Sequence, residues 1–240
     1  KRGIDDVLGQ AQLAIEIETR LKTGITPREV AYDLTGRLRD LRSEVLVPGR
    51  FFTADVLRLT GAPDLVEISG EGRVSDIPFK GTWSQPLGAA NLPSQVTANF
   101  DLTPKSLNAL NFGLPHGSLT GAAEGALRLD IVKDKPVTFE LTSDLTGAEL
   151  QSAALNWSKP AAQVGQLRVQ GVFAKPLQVD LLALEAQGLS LEGTVEFDDE
   201  GLDRVVLSRL AVGDWLDGAA TFIHQGAGAP MRLLLSGDLD

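Results

Sequence analysis

The feature that most constrains this chain is a two-residue alternation of apolar and polar side chains that returns along most of its length. The longest run covers residues 118–131, where Leu119, Leu127 and Leu129 share one face and polar residues occupy most of the other. Successive side chains of a strand point to opposite faces, so this alternation is typical of a strand with one face in water. A single strand of this length would extend roughly 45 Å, at about 3.3 Å per residue.

The same alternation recurs elsewhere and predicts about a dozen antiparallel strands joined by short turns. These further segments are 13–21, 28–38, 66–74, 96–102, 139–145, 167–173, 189–197 and 231–239. Helix signals are few. Thr103 and Pro104 predict one capped helical turn over 106–110, and 4–10 is a second candidate for a short amphipathic turn. The sequence therefore predicts an all-β fold of long antiparallel strands with very little helix.

Glycines recur inside the alternating segments and predict a sheet that curls repeatedly. A glycine within a strand costs stability and usually marks a bend, a bulge or a close backbone approach. The glycines in question are Gly70, Gly72, Gly121, Gly125, Gly193 and Gly237. Their irregular spacing favours a loose β repeat over the fixed period of a propeller. No linker, charge run or low-complexity segment divides the chain, so we predict one continuous β domain over residues 1–240.

Composition excludes several classes of function. The 240 residues include 22 Lys and Arg against 32 Asp and Glu, a formal net charge of −10, without the basic stripe that nucleic-acid binding needs. The lack of Cys excludes disulfides, thiolate nucleophiles and Cys-based zinc sites, and only two His are present. We therefore expect no enzyme, no catalytic residue, no metal, no cofactor and no nucleic-acid partner.

The two ends of the sequence indicate a piece of a longer protein. The chain starts at Lys1 without an initiator Met or a signal-peptide segment, and it stops within the strand-like pattern that ends at Asp240. No run of about 18 apolar residues occurs, so a membrane span is not predicted within these residues. We expect any membrane anchor to lie outside them.

Polar residues that resemble parts of active sites favour ordinary structural roles. His116 lies in a Pro- and Gly-containing turn, and His224 lies in a strand; neither has metal-binding partners at the right spacing. The acidic segment 198–200 is a turn between strands, where calcium binding or paired-carboxylate chemistry would need a different spacing. The Gly-rich segment 226–230 precedes a strand, whereas a phosphate-binding loop opens a helix, so it predicts a hairpin loop.

The three tryptophans, Trp83, Trp157 and Trp215, are expected at strand ends or turns. We predict that they close open ends of the hydrophobic core, because an indole combines a large apolar surface with one polar group. The alternative is contact with a lipid or another ligand.

Four segments carry a resemblance to a known family: 139–147, 155–160, 184–193 and 235–240. The second, Leu155-Asn-Trp-Ser-Lys-Pro160, is similar to a family segment in which Gly or Asn precedes Trp and Lys follows after a strand. From roughly Arg50 to its end, the chain resembles the AsmA-like superfamily of bacterial envelope proteins, which includes YhdP and TamB. It is most similar to the AsmA-like region of long YhdP-type chains. Residues 1–49 match only in alternation.

The resemblance implies an elongated, repeating β-groove, a half-pipe with an apolar inside and a polar outside. It implies a periplasmic protein, tethered to the inner membrane by a segment outside this sequence, that moves phospholipid toward the outer membrane. Such a groove needs no catalyst, because acyl chains that enter it leave water, and this stabilises the bound state by about 0.8 kcal/mol per buried CH₂. The partners it implies are phospholipid, the rest of the same long chain and the membrane.

The candidate lipid-contact residues are large apolar side chains of the alternating segments. They are Phe100, Leu102, Leu127, Leu129, Phe139, Leu141, Val195 and Phe197. The sequence leaves open whether this face is open to lipid or closed by a second sheet in a sandwich. It also leaves open a structural or interaction domain that supports outer-membrane assembly without carrying lipid. A carbohydrate-active enzyme or lectin-like sandwich would need a cleft with opposed carboxylates.

Overall fold

The alternating segments form strands in a computed structural model, which describes residues 7–18, 31–47, 49–88, 92–109, 117–198, 201–225 and 232–239. These residues contain seventeen strands and one short helix, so the all-β prediction is confirmed. The strands are β1 (Val7–Glu18), β2 (Ala31–Val47), β3 (Arg50–Ala62), β4 (Leu65–Val74), β5 (Ile77–Pro86), β6 (Ser94–Leu102), β7 (Leu119–Gly121), β8 (Ala123–Ile131), β9 (Val137–Ser143), β10 (Ala148–Ser152), β11 (Trp157–Lys159), β12 (Gln166–Phe173), β13 (Gln178–Ala186), β14 (Leu189–Asp198), β15 (Gly201–Val212), β16 (Leu216–Ile223) and β17 (Arg232–Leu239), and the helix is α1 (Pro104–Ala109).

Fourteen of these strands form one antiparallel sheet that is not closed, in the order β1-β2-β3-β4-β5-β6-β8-β9-β12-β13-β14-β15-β16-β17. The remaining strands, β7, β10 and β11, form a three-stranded sheet that we call the small sheet. The order of the large sheet follows the chain, as expected when neighbouring antiparallel strands are joined by short connections. Two compact units are present: unit 1 contains residues 1–100 and 130–135, and unit 2 contains 101–129 and 136–240. One continuous domain over 1–240 stays a prediction.

Unit 1 is a single layer of sheet whose apolar side chains share one face. The pairing register places Leu59 beside Ile68, Ile68 beside Trp83, and Trp83 beside Val96. Every strand described in unit 1 belongs to the large sheet, so no second sheet or helix among the described residues of that unit covers this face. The four side chains named here are half-buried, whereas Leu57 is buried and Ile15 is exposed.

Unit 2 contains apolar rows of the same kind and also a cluster of fully buried side chains. One row crosses seven strands, in the order Phe139, Gly171, Val179, Val195, Val205, Phe222, Leu233. Nearby, Leu155 from the β10–β11 connection packs against a buried cluster that includes Leu189, Leu207 and Leu210. The small sheet therefore supplies a second layer at one end of the apolar face of this unit.

The structure also corrects local predictions. The single long strand expected over 118–131 is wrong: it divides at Ala122 into β7 and β8, which belong to different sheets. The break follows Gly121, whose φ of 76° lies in the left-handed region, and the N–H of Ala122 donates to the carbonyl of Gly147 at 3.2 Å. The amphipathic turn expected over 4–10 is also wrong where the structure describes it, because β1 begins at Val7.

The predicted helical turn is confirmed, with its bounds shifted to α1 (Pro104–Ala109). The hydroxyl of Thr103 accepts a hydrogen bond of 3.1 Å from the N–H of Ser106, which is the geometry of an N-terminal cap. A bulge also occurs at one of the strand glycines that predicted bends: the register of β14 and β15 shifts between Glu192 and Gly193.

Candidate functional site

In unit 1, the candidate Phe100 belongs to an aromatic group on the apolar face. Phe100 stands beside Phe79 in the register of β5 and β6, and the rings of Phe79 and Phe52 lie 5.9 Å apart. All three side chains are half-buried. The Phe79 ring lies over Gly72, where an added Cβ would come within 3.0 Å of it. The sequence pattern did not identify Phe52 and Phe79 as candidate lipid-contact residues, although Ile77, Phe79, Gly81 and Trp83 occupy every second position of β5.

In unit 2, the structure brings Phe139 and Val195 into the same apolar row. Phe139 packs tightly, since its ring lies 4.8 Å from that of Phe173 and close to Gly171. Leu141 lies in the next row, beside Val169. Phe139 and Leu141 expose only 7% and 5% of their surface, so neighbouring side chains already cover them.

The remaining candidate lipid-contact residues differ in how much of their side-chain surface is exposed. Leu102 is 2% exposed, and its side chain fills the space above Gly125. Leu127 and Leu129 on β8, together with Val195 and Phe197 on β14, are half-buried. The structure thus leaves part of the surface accessible at Phe100, Leu127, Leu129, Val195 and Phe197, whereas Leu102, Phe139 and Leu141 are buried.

The segment Leu155-Asn-Trp-Ser-Lys-Pro160 holds the small sheet in place. Asn156 adopts a left-handed φ of 47°, and the indole N–H of Trp157 donates to the carbonyl of Gln187 at 2.9 Å. Trp157 is half-buried against the core cluster that contains Leu155. The prediction that a tryptophan closes the core is confirmed here. The other two differ: Trp83 lies in the middle of β5 rather than at a strand end, and Trp215 is 43% exposed in a turn.

Lys159 of the same segment is fully buried, which is rare for lysine. Its Nζ donates hydrogen bonds to the carbonyl oxygens of Leu145, Ala148 and Pro160 at 2.8, 2.9 and 3.2 Å. Burial lowers the pKa of the Lys159 ammonium, and the negative charge of Asp144 offsets part of that shift. These three hydrogen bonds use all three N–H donors of the ammonium, so Lys159 has a structural role.

The polar candidates of the sequence form no cluster in the part of the chain that the structure describes. His224 directly follows β16, where its backbone N–H donates to the carbonyl of Asp203 at 2.8 Å. An Asp198 carboxylate oxygen accepts a hydrogen bond of 3.0 Å from the N–H of Gly201, as in a turn. His116, 199–200 and 226–230 lie outside the described residues. Among those that are described, no three His, Asp or Glu side chains gather as metal ligands would.

The one helix described, α1, is too short to cross a membrane. Comparisons with protein-family models, with curated proteins and with solved structures found no match. The fold and the site therefore define a class only: an open antiparallel β-sheet protein with one apolar face. The likeness to AsmA-like proteins rests on the sequence segments alone.

Proposed function

We propose that this chain is a non-enzymatic segment of an AsmA-like envelope protein that shields or conducts phospholipid acyl chains along the apolar face of its sheet. In this proposal it acts in the periplasm between the inner and outer membranes, tethered by a segment outside the sequence. The observation that carries the proposal is the single-layer apolar face of unit 1, whose central row Leu59, Ile68, Trp83, Val96 is half-buried and has no covering layer among the described residues of that unit.

The crowding of side chains supports a locally concave apolar face in unit 1. A Cβ added at Gly61 would lie 3.2 Å from the Cβ of Leu34, and one added at Gly81 would lie 3.2 Å from the Cβ of Ala98. Paired residues of an ordinary antiparallel sheet have Cβ atoms about 4.5–5.5 Å apart. Side chains therefore converge on this face, as they do on the inner side of a bend, and glycine relieves the crowding.

The energetics of such a face suit an acyl chain. A methylene group that moves from water onto apolar side chains gains about 0.8 kcal/mol when it is fully buried, and partial contact gains proportionately less. The side chains of the row Leu59, Ile68, Trp83, Val96 are apolar apart from one indole N–H, so few polar groups could fix the position of a bound chain. Binding of this kind depends on contact area and allows sliding along the face.

A second candidate function, a structural or interaction domain that carries no lipid, is favoured by unit 2. Its cluster around Leu207 and Leu210 is buried, and Leu155 of the small sheet packs against it. A core closed in this way offers less surface to a lipid than the uncovered face of unit 1. The lipid function predicts contact with phospholipid at the accessible candidate residues, whereas the scaffold function predicts no such contact.

Photo-crosslinking in lipid extracts tests the proposal directly. A photoreactive phenylalanine at Phe100 or Phe197 is expected to form phospholipid adducts that mass spectrometry detects in the purified chain. The same group at Asp101 or Glu196, exposed neighbours on the same strands, is the matched control and should give none. Phe139, which is buried, should give fewer adducts than Phe100. Folded protein without adducts at Phe100 and Phe197 would favour the scaffold function instead.

A charge placed on either face of the sheet of unit 1 supplies a second test. Ile68→Glu puts a carboxylate in the middle of the apolar face, whereas Thr35→Glu puts the same group on the opposite face, at an exposed position of β2. We expect I68E to abolish co-purification of lipid and T35E to retain it. Circular dichroism establishes that both variants are folded, and equal lipid content in the two variants contradicts the proposal.

A further inference from the structure

The polar face of unit 1 carries a depression of about 650 Å³ on the side of the sheet away from the apolar rows. Three cationic side chains, Arg37, Arg58 and Lys80, line it, and no carboxylate does. This is an unexpected concentration of one charge in a chain whose formal net charge is −10. Ser69, Thr82 and Thr97 contribute hydroxyl groups, and the rest of the lining consists of Val56, Gly70, Gly81 and Asn99.

The strand register explains how these side chains come together. Arg37 stands directly opposite Arg58, and the same row continues through Ser69, Thr82 and Thr97. Like charges directly opposite each other destabilise a sheet, so this pair costs stability unless an anion lies between the two guanidinium groups. Both arginine side chains are exposed and free to reach a ligand in the depression.

We propose that this depression binds a phosphate group. Each guanidinium carries planar, paired N–H donors that match two oxygens of a phosphate, and hydroxyl groups donate to the remaining oxygens. Lys80 adds a point charge; its nearest carboxylate partner is Glu71, at 4.0 Å, and both side chains are highly exposed, so that pair is weak. The site lies on the opposite face from the proposed acyl-chain surface and does not depend on it.

Titration of the 240-residue chain with inorganic phosphate tests the site. We expect phosphate to raise the Tm of the wild-type chain more than that of the double variant Arg37→Gln/Arg58→Gln, because a ligand that binds the folded state stabilises it, whereas the general salt effect of phosphate is common to both. In Arg37→Gln/Arg58→Gln, the Kd for phosphate should rise at least about tenfold, since charged hydrogen bonds are lost. Lys133→Gln/Arg209→Gln removes the same charge at exposed positions outside the depression and should keep the wild-type Kd.

Binding of the chain to lipid vesicles identifies the source of the phosphate group. Retention on vesicles that contain phosphatidylglycerol, lost in R37Q/R58Q and absent on pure phosphatidylcholine, would assign the site to an anionic lipid headgroup. Binding of inorganic phosphate without retention on vesicles would assign it to a soluble phosphate compound. Equal phosphate Kd values in the wild-type chain and in R37Q/R58Q overturn the proposal.

Two crossed controls separate this site from the proposed function. I68E should keep the wild-type Kd for phosphate, because Ile68 lies on the opposite face. R37Q/R58Q should still form lipid adducts through a photoreactive group at Phe100. Failure of one site therefore does not imply failure of the other.

Discussion

The ammonium of Lys159 donates a hydrogen bond of 2.8 Å to the carbonyl oxygen of Leu145, fourteen residues earlier in the chain. The same Nζ donates to the carbonyls of Ala148, the first residue of β10, and of Pro160, which follows β11. One side chain thus ties the small sheet to the turn that precedes it. Because this sheet brings Leu155 onto the core of unit 2, we expect the stability of that core to depend on the buried lysine.

Replacing this lysine should destabilise the protein strongly. Lys159→Met keeps much of the apolar stem but removes the charged donor of all three hydrogen bonds, and a hydrogen bond to a charged group contributes about 1.5–3 kcal/mol. We expect the free energy of unfolding in urea to fall by at least about 3 kcal/mol. Lys133→Met, at an exposed position, is the control and should change it by less than about 0.5 kcal/mol. Similar urea midpoints for K159M and K133M would show that the three bonds contribute little.

The lowered pKa of Lys159 predicts a specific pH dependence. Since burial lowers this pKa in the folded chain, the unfolded chain holds the proton more tightly than the folded chain does. The free energy of unfolding should therefore rise as the pH increases from the lowered pKa toward the ordinary pKa of lysine. K159M lacks this contribution, so the stability difference between the wild-type chain and K159M should widen with alkaline pH. Urea unfolding across that range measures it, and a narrowing difference would indicate a raised pKa instead.

The opposed arginines predict a variant that is more stable than the wild-type chain when phosphate is absent. Arg58→Gln removes the repulsion with Arg37 and should raise the free energy of unfolding by about 0.2–1 kcal/mol. The gain should shrink at high salt, because the charges are exposed and screened. The contrasting control is Arg204→Gln, whose guanidinium Nε lies 2.8 Å from Asp203 and 3.4 Å from Glu196 and which should not gain stability. Equal effects of R58Q and R204Q would contradict this prediction.

Alternation predicted the strands and their faces, because burial of one face imposes it on the sequence directly. It did not predict which residues stand side by side, since register depends on bulges such as the one between Glu192 and Gly193. It placed Phe139 and Phe197 together as candidates, but only packing shows that Phe139 is covered while Phe197 is half-buried. The burial of Lys159 could not be predicted from the sequence, because lysine is nearly always exposed and two of its three carbonyl partners lie more than ten residues away in the chain.

Gly193 shows how tightly the strands of unit 2 approach each other, and it supplies a further prediction. An added Cβ would lie 2.7 Å from the Cα of Leu207 and would collide with the carbonyl oxygen of Val206, and backbone atoms cannot rotate away as a side chain can. Overpacking typically costs about 1–3 kcal/mol, and we expect Gly193→Ala to lower the free energy of unfolding by about 3 kcal/mol. Thr194→Ser, at the exposed neighbouring position, should remain within about 0.5 kcal/mol of the wild-type chain. Urea unfolding compares the two variants, and a G193A midpoint equal to that of T194S would show that β14 and β15 can separate at this bulge without cost.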